Sequence, residues 1–167
     1  MTATEVGREV MTWDELGVGA RALAEAAHAD DFLPDVLLAV SRGGLLAAGA
    51  VAYALGVKST FTLNIELYTG VDERLAEPVL LPPVPDVVDL RHARVLVVDD
   101  VADTGATLEL VKRLCAAEAA ETRCAVLYEK PRSTVRCEYV WRRTDRWITF
   151  PWSAEPPVGS AERLHAG

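Results

Sequence analysis

Cysteine is scarce in this chain. Cys115, Cys124 and Cys137 are the only three in 167 residues, an odd number with no Cys-x-x-Cys spacing, and they outline neither a disulfide framework nor a zinc site. Positive charge is also in deficit: 17 Lys and Arg face 25 Asp and Glu, for a formal net charge of −8. A nucleic-acid binder ordinarily carries a basic face, so no nucleic-acid partner is expected. The longest apolar run without a charge, Leu45 to Val57, falls well short of the roughly 20 residues that cross a bilayer, so no membrane partner is expected either. The N-terminus, Met1-Thr2-Ala3-Thr4-Glu5, lacks the basic region and following apolar region of a signal peptide. No internal repeat is visible. These absences leave a soluble, reduced, cytoplasmic protein as the expectation. What is present is apolar: 50% of residues are hydrophobic, enough for one domain with a full core.

The chain is organised around Val95-Leu96-Val97-Val98-Asp99-Asp100-Val101-Ala102-Asp103-Thr104-Gly105-Ala106-Thr107. The continuous β-branched run Val95 to Val98 reads as a strand buried on both faces, the habit of parallel sheets. It should end at the adjacent carboxylates Asp99 and Asp100. After Thr107, the residues Leu108, Val111, Leu114 and Cys115 recur at helical spacing. The pattern is strand, tight loop, helix. A loop opening a helix presents free backbone N–H groups, and the helix dipole favours an anion there. Gly105 lets the backbone approach a ligand, and Thr104 and Thr107 add hydroxyl donors. Asp99 and Asp100 can accept hydrogen bonds or hold a cation. A ligand with a phosphate at one end and a diol at the other, such as ribose 5-phosphate, satisfies both halves. The loop is not a Walker A loop, because no Lys follows the glycine, and it lacks the three glycines of a dinucleotide fingerprint.

A second unit repeats the plan. Asp35 to Val40 reads as a buried strand, then Ser41-Arg42-Gly43-Gly44, then an Ala-rich helix ending near Leu55 with Gly56 as its C-cap. Arg42 offers phosphate a charge-assisted contact, and paired glycines allow an unusual peptide geometry facing a ligand. Taken alone, this is equally a plain turn with a surface Arg. Upstream, Thr12-Trp13-Asp14-Glu15 is a capping box opening a helix through Leu16, Ala20, Leu23 and Ala27. Gly17-Val18-Gly19-Ala20-Arg21-Ala22 mimics a dinucleotide fingerprint, but no strand precedes it. Gly17 and Gly19 weaken that helix without a reason visible in the sequence. Lys58 to Ile65 alternates like a strand. Residues 66–91 then lose any core period and hold four prolines, the sign of a functional loop. Cys124 to Tyr128 is a further strand, leading to Glu129-Lys130-Pro131. Tyr139-Val140-Trp141 reads as a short strand. Trp147 to Trp152 is aromatic-dense and reads as a closing strand. Residues 1–10 and 153–167 read as loose termini around a single domain over 11–152.

These residues resemble a family. Hydrophobic strand, Asp99-Asp100, two residues, then Asp103-Thr104-Gly105-Ala106-Thr107 is similar to the phosphoribosyl pyrophosphate (PRPP) motif of type I phosphoribosyltransferases. Ala39 to Leu45 resembles the pyrophosphate loop of the family's bacterial 6-oxopurine (xanthine-guanine) branch, and Thr12-Trp13-Asp14 with Ala20-Arg21 resembles its first helix. Lys130-Pro131 resembles the Lys-Pro whose Lys meets the purine 6-oxo group. Trp147 resembles the Trp that stacks on the base, with Ile148 beside it. The family's mobile loop over PRPP carries Ser-Tyr; here Leu67-Tyr68 matches only in Tyr68.

The resemblance implies an α/β fold: a mostly parallel central sheet flanked by helices, with a small hood and a flexible lid loop. It implies transfer of ribose 5-phosphate from PRPP to a 6-oxopurine, with Mg²⁺ as cofactor, in a homodimer or homotetramer. Ser41, Arg42 and Gly43 would hold pyrophosphate, Asp99 and Asp100 the ribose hydroxyls with Asp100 near Mg²⁺, and residues 103–107 the 5′-phosphate. Lys130, Trp147 and Ile148 would form the base pocket, Tyr68 would belong to the lid, and Asp103 would be the general base. Two alternatives stand beside this reading. One is a nucleotide-sensing regulator of the same fold that binds RNA, which the acidic charge disfavours. The other is transfer to another base; adenine is disfavoured because its 6-amino group would face the Lys130 donor.

Overall fold

A computed structural model describes residues 7–70, 73–81 and 90–158, with side chains described outside 66–81. Its elements are β1 (Arg8–Val10), α1 (Trp13–Ala29), β2 (Val36–Ser41), α2 (Gly44–Leu55), β3 (Thr60–Gly70), β4 (Glu73–Leu81), β5 (Arg94–Ala102), α3 (Ala106–Ala116), β6 (Glu121–Glu129), β7 (Tyr139–Arg143) and β8 (Trp147–Thr149). Six strands form one sheet in the order β4-β3-β2-β5-β6-β7. All neighbours are parallel except β3 and β4.

The all-apolar strands at the centre need cover on both faces, and they have it. In β5, Leu96 and Val98 join a core with α1 and α2, whereas Val95 and Val97 face α3. All four are fully buried, at about 1.5–3 kcal/mol of transfer free energy each. Helix α1 starts at the expected capping box: Thr12 N–H donates to Glu15 Oε2 at 2.9 Å and Glu15 N–H to Thr12 Oγ1 at 3.2 Å. Gly19 has a reason in the packing, since a Cβ there would lie 2.9 Å from Trp141 Cδ2. Nothing in the structure explains Gly17, which faces open space. Gly56 ends α2 with φ 72°, as its C-cap position requires.

Three expectations are corrected. Strand β5 does not stop at the acidic pair; it runs to Ala102, because Val101 and Ala102 still pair with Tyr128 and Glu129 of β6. Residues 66–70 and 73–81, expected as loop, extend β3 and form β4, paired antiparallel. Strand β4 is the sheet edge, where a ladder tolerates Pro78 because no neighbour needs its missing N–H. The Tyr68 backbone lies in β3 opposite Arg74, but its side chain, and residues 82–89 of the expected lid, lie outside what is described. Finally, Arg8–Val10, expected in a loose terminus, pair in parallel with Trp147–Thr149. Met11 N–H continues the ladder to Thr149 O at 3.0 Å. The hood is therefore a ribbon of β1 and β8, built from both ends of the chain.

Candidate active site

The connections β2-α2-β3 and β5-α3-β6 leave the sheet centre in opposite directions. The C-terminal ends of β2 and β5 thus flank a topological switch point, the place where open α/β sheets bind ligands. A cavity of about 260 Å³ opens there. Its lining includes Ser41, Arg42, Gly43, Asp99, Asp100, Asp103, Thr104, Gly105 and Thr107, so the two sequence motifs meet across it. Ala106 is the first residue of α3.

Local backbone makes this cavity a receptor for anions. Neither α2 nor α3 has a side-chain cap at its N-terminus, in contrast to α1. The Leu45 amide of α2 turns back to Arg42 O at 3.1 Å and the Ala106 amide of α3 to Thr104 Oγ1 at 3.4 Å, while both helix dipoles favour negative charge at these ends. The glycines permit close approach. A Cβ on Gly43 would overlap the Asp100 carboxylate, and one on Gly44 would lie 2.6 Å from Val98 O. Gly43 itself has ordinary right-handed dihedrals, so the paired glycines serve contact with β5 rather than unusual geometry. The Ser41–Arg42 peptide is cis, and the Ser41 hydroxyl is bonded to the Thr62 hydroxyl. Gly105 has φ 89°, and a Cβ there would meet Ser133 Oγ and Val135 N at 2.8 Å. Its role is thus to fit the loop against residues 133–135, with Thr134 N–H donating to Thr104 O at 2.9 Å.

Opposite these donors lie the acids. Asp100 N–H donates to Asp99 Oδ1 at 2.8 Å. Burial, reinforced for Asp99 by the neighbouring Asp100 charge, pushes Asp99 well above the ordinary carboxylate range, and burial raises Asp100 also. No cationic side chain among the described residues forms an ion pair with either.

A second cavity, about 850 Å³, adjoins the first and shares Val101 and Asp103 with it. Lys130, Pro131, Arg132, Asp145, Trp147, Ile148 and Arg8 are among its lining residues. The Trp147 ring is 70% exposed, an open stacking surface. Lys130 is almost buried, its Nζ donating to Arg146 O, and burial pulls its ammonium below the usual lysine range.

The sequence reading missed three residues here. Arg132 forks onto Asp103, with Nε to Oδ1 at 2.8 Å and Nη2 to Oδ2 at 2.6 Å. Glu129, 1% exposed, accepts from Cys137 N–H at 2.9 Å, Arg143 Nε at 3.0 Å and Arg136 Nη1 at 3.3 Å. Its signal was a charge closing an otherwise apolar run. Arg8 gave no signal, because the segment holding it has no period of its own.

Two adjoining cavities at the switch point of a doubly wound sheet define an α/β protein whose site lies where open sheets bind their ligands. The chain belongs to the phosphoribosyl transferase domain family, which matches residues 9–157. It is 30% identical over 151 residues to a xanthine-guanine phosphoribosyltransferase of Ruegeria sp., covering 85% of this chain and 83% of that one. A xanthine-guanine phosphoribosyltransferase of Nitratidesulfovibrio vulgaris is 31% identical over 147 residues, covering 87% and 84%. Among solved structures, a purine phosphoribosyltransferase from Pyrococcus horikoshii superposes with a TM-score of 0.78 at 34% identity, covering 91% of this chain and 97% of that one.

Proposed function

We infer that the protein is a purine phosphoribosyltransferase of nucleotide salvage, moving ribose 5-phosphate from PRPP to a 6-oxopurine and releasing pyrophosphate. The observation that carries this reading is the junction of the two cavities at Asp103, where a sugar held in one and a base held in the other would meet.

Thr104 to Thr107 would cradle the 5′-phosphate on the uncapped end of α3. Ser41, Arg42 and Gly43 would hold the pyrophosphate on the other side of the cavity. The reaction is displacement at an oxocarbenium-like carbon, so fixed donors at the leaving pyrophosphate and exclusion of water carry the rate. Asp99 and Asp100 would take the ribose hydroxyls. Two desolvated carboxylates with no cationic partner among the described residues also fit Mg²⁺, which Asp100 would hold; an ion of that kind would need few protein ligands. When bound, Mg²⁺ would neutralise charge on the pyrophosphate. Trp147 and Ile148 would clamp the base, and Lys130 would donate to its 6-oxo group. Asp103 would accept the proton of the imidazole ring, its carboxylate oriented by Arg132. The acidic net charge supports work without nucleic acid. The exposed Leu45, Leu46 and Tyr53 of α2 support a homo-oligomer, dimer or tetramer.

A PRPP-dependent assay over a panel of free bases, reading pyrophosphate release, tests the reading. Release is expected with guanine, xanthine or hypoxanthine and Mg²⁺, and not with adenine. No release with any oxopurine would remove the assignment.

A further inference from the structure

We propose that Arg8 reads the 2-position of the purine and makes the pocket favour a 2-oxo base, xanthine, over a 2-amino base, guanine. The inference rests on the transferase reading above and names the substrate within it.

Arg8 lines the larger cavity from β1. It stands opposite Trp147 in the parallel β1–β8 register, and residues paired across a ladder project to the same face. Arg8 therefore projects from the same side of the ribbon as the proposed stacking ring, at the wall of this cavity. Of the two other cations there, Arg132 is paired with Asp103, and Lys130, which keeps further donors beside its bond to Arg146 O, is the one assigned to the 6-oxo group. Arg8 makes no ion pair or side-chain hydrogen bond among the described residues, so its donors are available to a ligand.

The edges of a purine assign the contact. N9 receives the ribose, the imidazole edge turns to Asp103 at the cavity junction, and the 6-oxo group belongs to Lys130. Lys130 follows β6 of the six-stranded sheet and Arg8 belongs to the hood ribbon, so the two cations line the cavity from separate elements and are assigned to different edges of a base lying on Trp147. The edge left for Arg8 carries the 2-substituent. A guanidinium has five donors and no acceptor. Xanthine offers it an oxo acceptor, guanine opposes it with an amino donor, and hypoxanthine offers only hydrogen. Xanthine is also the most readily deprotonated of the three, and a permanent positive charge favours its anion further.

The test compares wild type, Arg8→Met and Arg8→Gln in two arms: kcat/KM for xanthine, guanine and hypoxanthine, and calorimetric Kd for xanthosine, guanosine and inosine monophosphates. Wild type should prefer xanthine. Arg8→Met should lower the xanthine-to-hypoxanthine ratio by about 10-fold, the scale of one charge-assisted hydrogen bond. Arg8→Gln, whose amide oxygen can accept from an amino group, should move the xanthine-to-guanine ratio toward guanine. Ratios identical in all three proteins, or equal losses on every base, would overturn the proposal. If wild type turns over no oxopurine, the transferase reading fails, and the nucleotide Kd ratios still decide for or against Arg8. Absence of binding by all three nucleotides would end both.

Discussion

At the scale of single residues, the acidic pair at the switch point is held against the interest of the fold. Asp99 and Asp100 are side by side in the C-terminal half of the buried strand β5, their carboxyls raised chiefly by burial. A carboxyl raised in the folded state binds its proton more tightly there than in the unfolded chain, so its ionisation at neutral pH destabilises the ligand-free protein. Asp99→Asn with Asp100→Asn keeps the shape. The amide oxygen introduced at position 99 can still accept from the backbone N–H of position 100, which in the wild type donates to Asp99 Oδ1. The double variant should melt higher than wild type at pH 7.5 without ligand, by on the order of a few degrees for a domain of this size. It should also lose Mg²⁺-dependent PRPP binding in calorimetry. A lower melting temperature would show that the pair is structural, and unchanged PRPP affinity would remove it from the ribose site.

At the scale of elements, what could be read from the sequence was local, and what could not was pairing at a distance. The runs Val36 to Val40 and Val95 to Val98, each followed by a glycine-bearing turn and a helix, announced two βα units because both their period and their punctuation are local. The capping box at Thr12 and the C-cap at Gly56 were legible for the same reason. Strands β1 and β8 are three residues each, too short to show a period, and each is defined only by its partner about 140 positions away in the chain. Strand β4 was hidden by Pro78, which signals a break unless the strand is known to lie at an edge. The paired glycines were recognised as functional, but for a reason the structure replaces: α2 begins so close to β5 that a side chain on Gly43 would occupy the position of the Asp100 carboxylate. Gly43→Ala must therefore displace either the loop or the acid. Misplacement of about 1 Å at a reacting site can lower rates by about 100-fold. The variant should lose kcat/KM for PRPP on that scale while its circular dichroism stays that of wild type. Retention of full PRPP kinetics would mean that the two walls of the cavity do not act together.

At the scale of the whole molecule, the loop after β6 and the loop opening α3, the proposed base and phosphate loops, are one assembly fastened by Glu129. Its buried carboxylate holds Cys137 N–H, Arg143 and Arg136, and Arg136 also reaches Pro131 O at 3.4 Å. The segment closed in this way supplies Lys130 and Arg132 to the larger cavity and backs the phosphate loop through Thr134 and Thr104. Burial alone would raise Glu129, but the Cys137 amide and the two arginines outweigh it and hold the carboxyl below the usual range. A lowered carboxyl contributes stability that is present above its unfolded pKa and lost as pH falls through the folded value. The raised Asp99 and Asp100 act with the opposite sign: their penalty is absent below the ordinary Asp range and grows as pH rises through their elevated values. Together they place the stability maximum of the ligand-free protein on the mildly acidic side of neutrality. Urea midpoints measured from pH 3.5 to 8.5 should trace that maximum. Glu129→Gln should be destabilised by about 1–3 kcal/mol at neutral pH, because the buried side chain loses its charge-assisted hydrogen bonds while the largely exposed Arg143 and Arg136 return to water, and its acid limb should flatten. The Asp99→Asn, Asp100→Asn variant should keep the acid limb and flatten the alkaline one, as should wild type saturated with PRPP and Mg²⁺, because ligand binding offsets the charge of the pair. A wild-type curve that rises steadily to pH 8.5 would show that the acidic pair is not strained in the free protein.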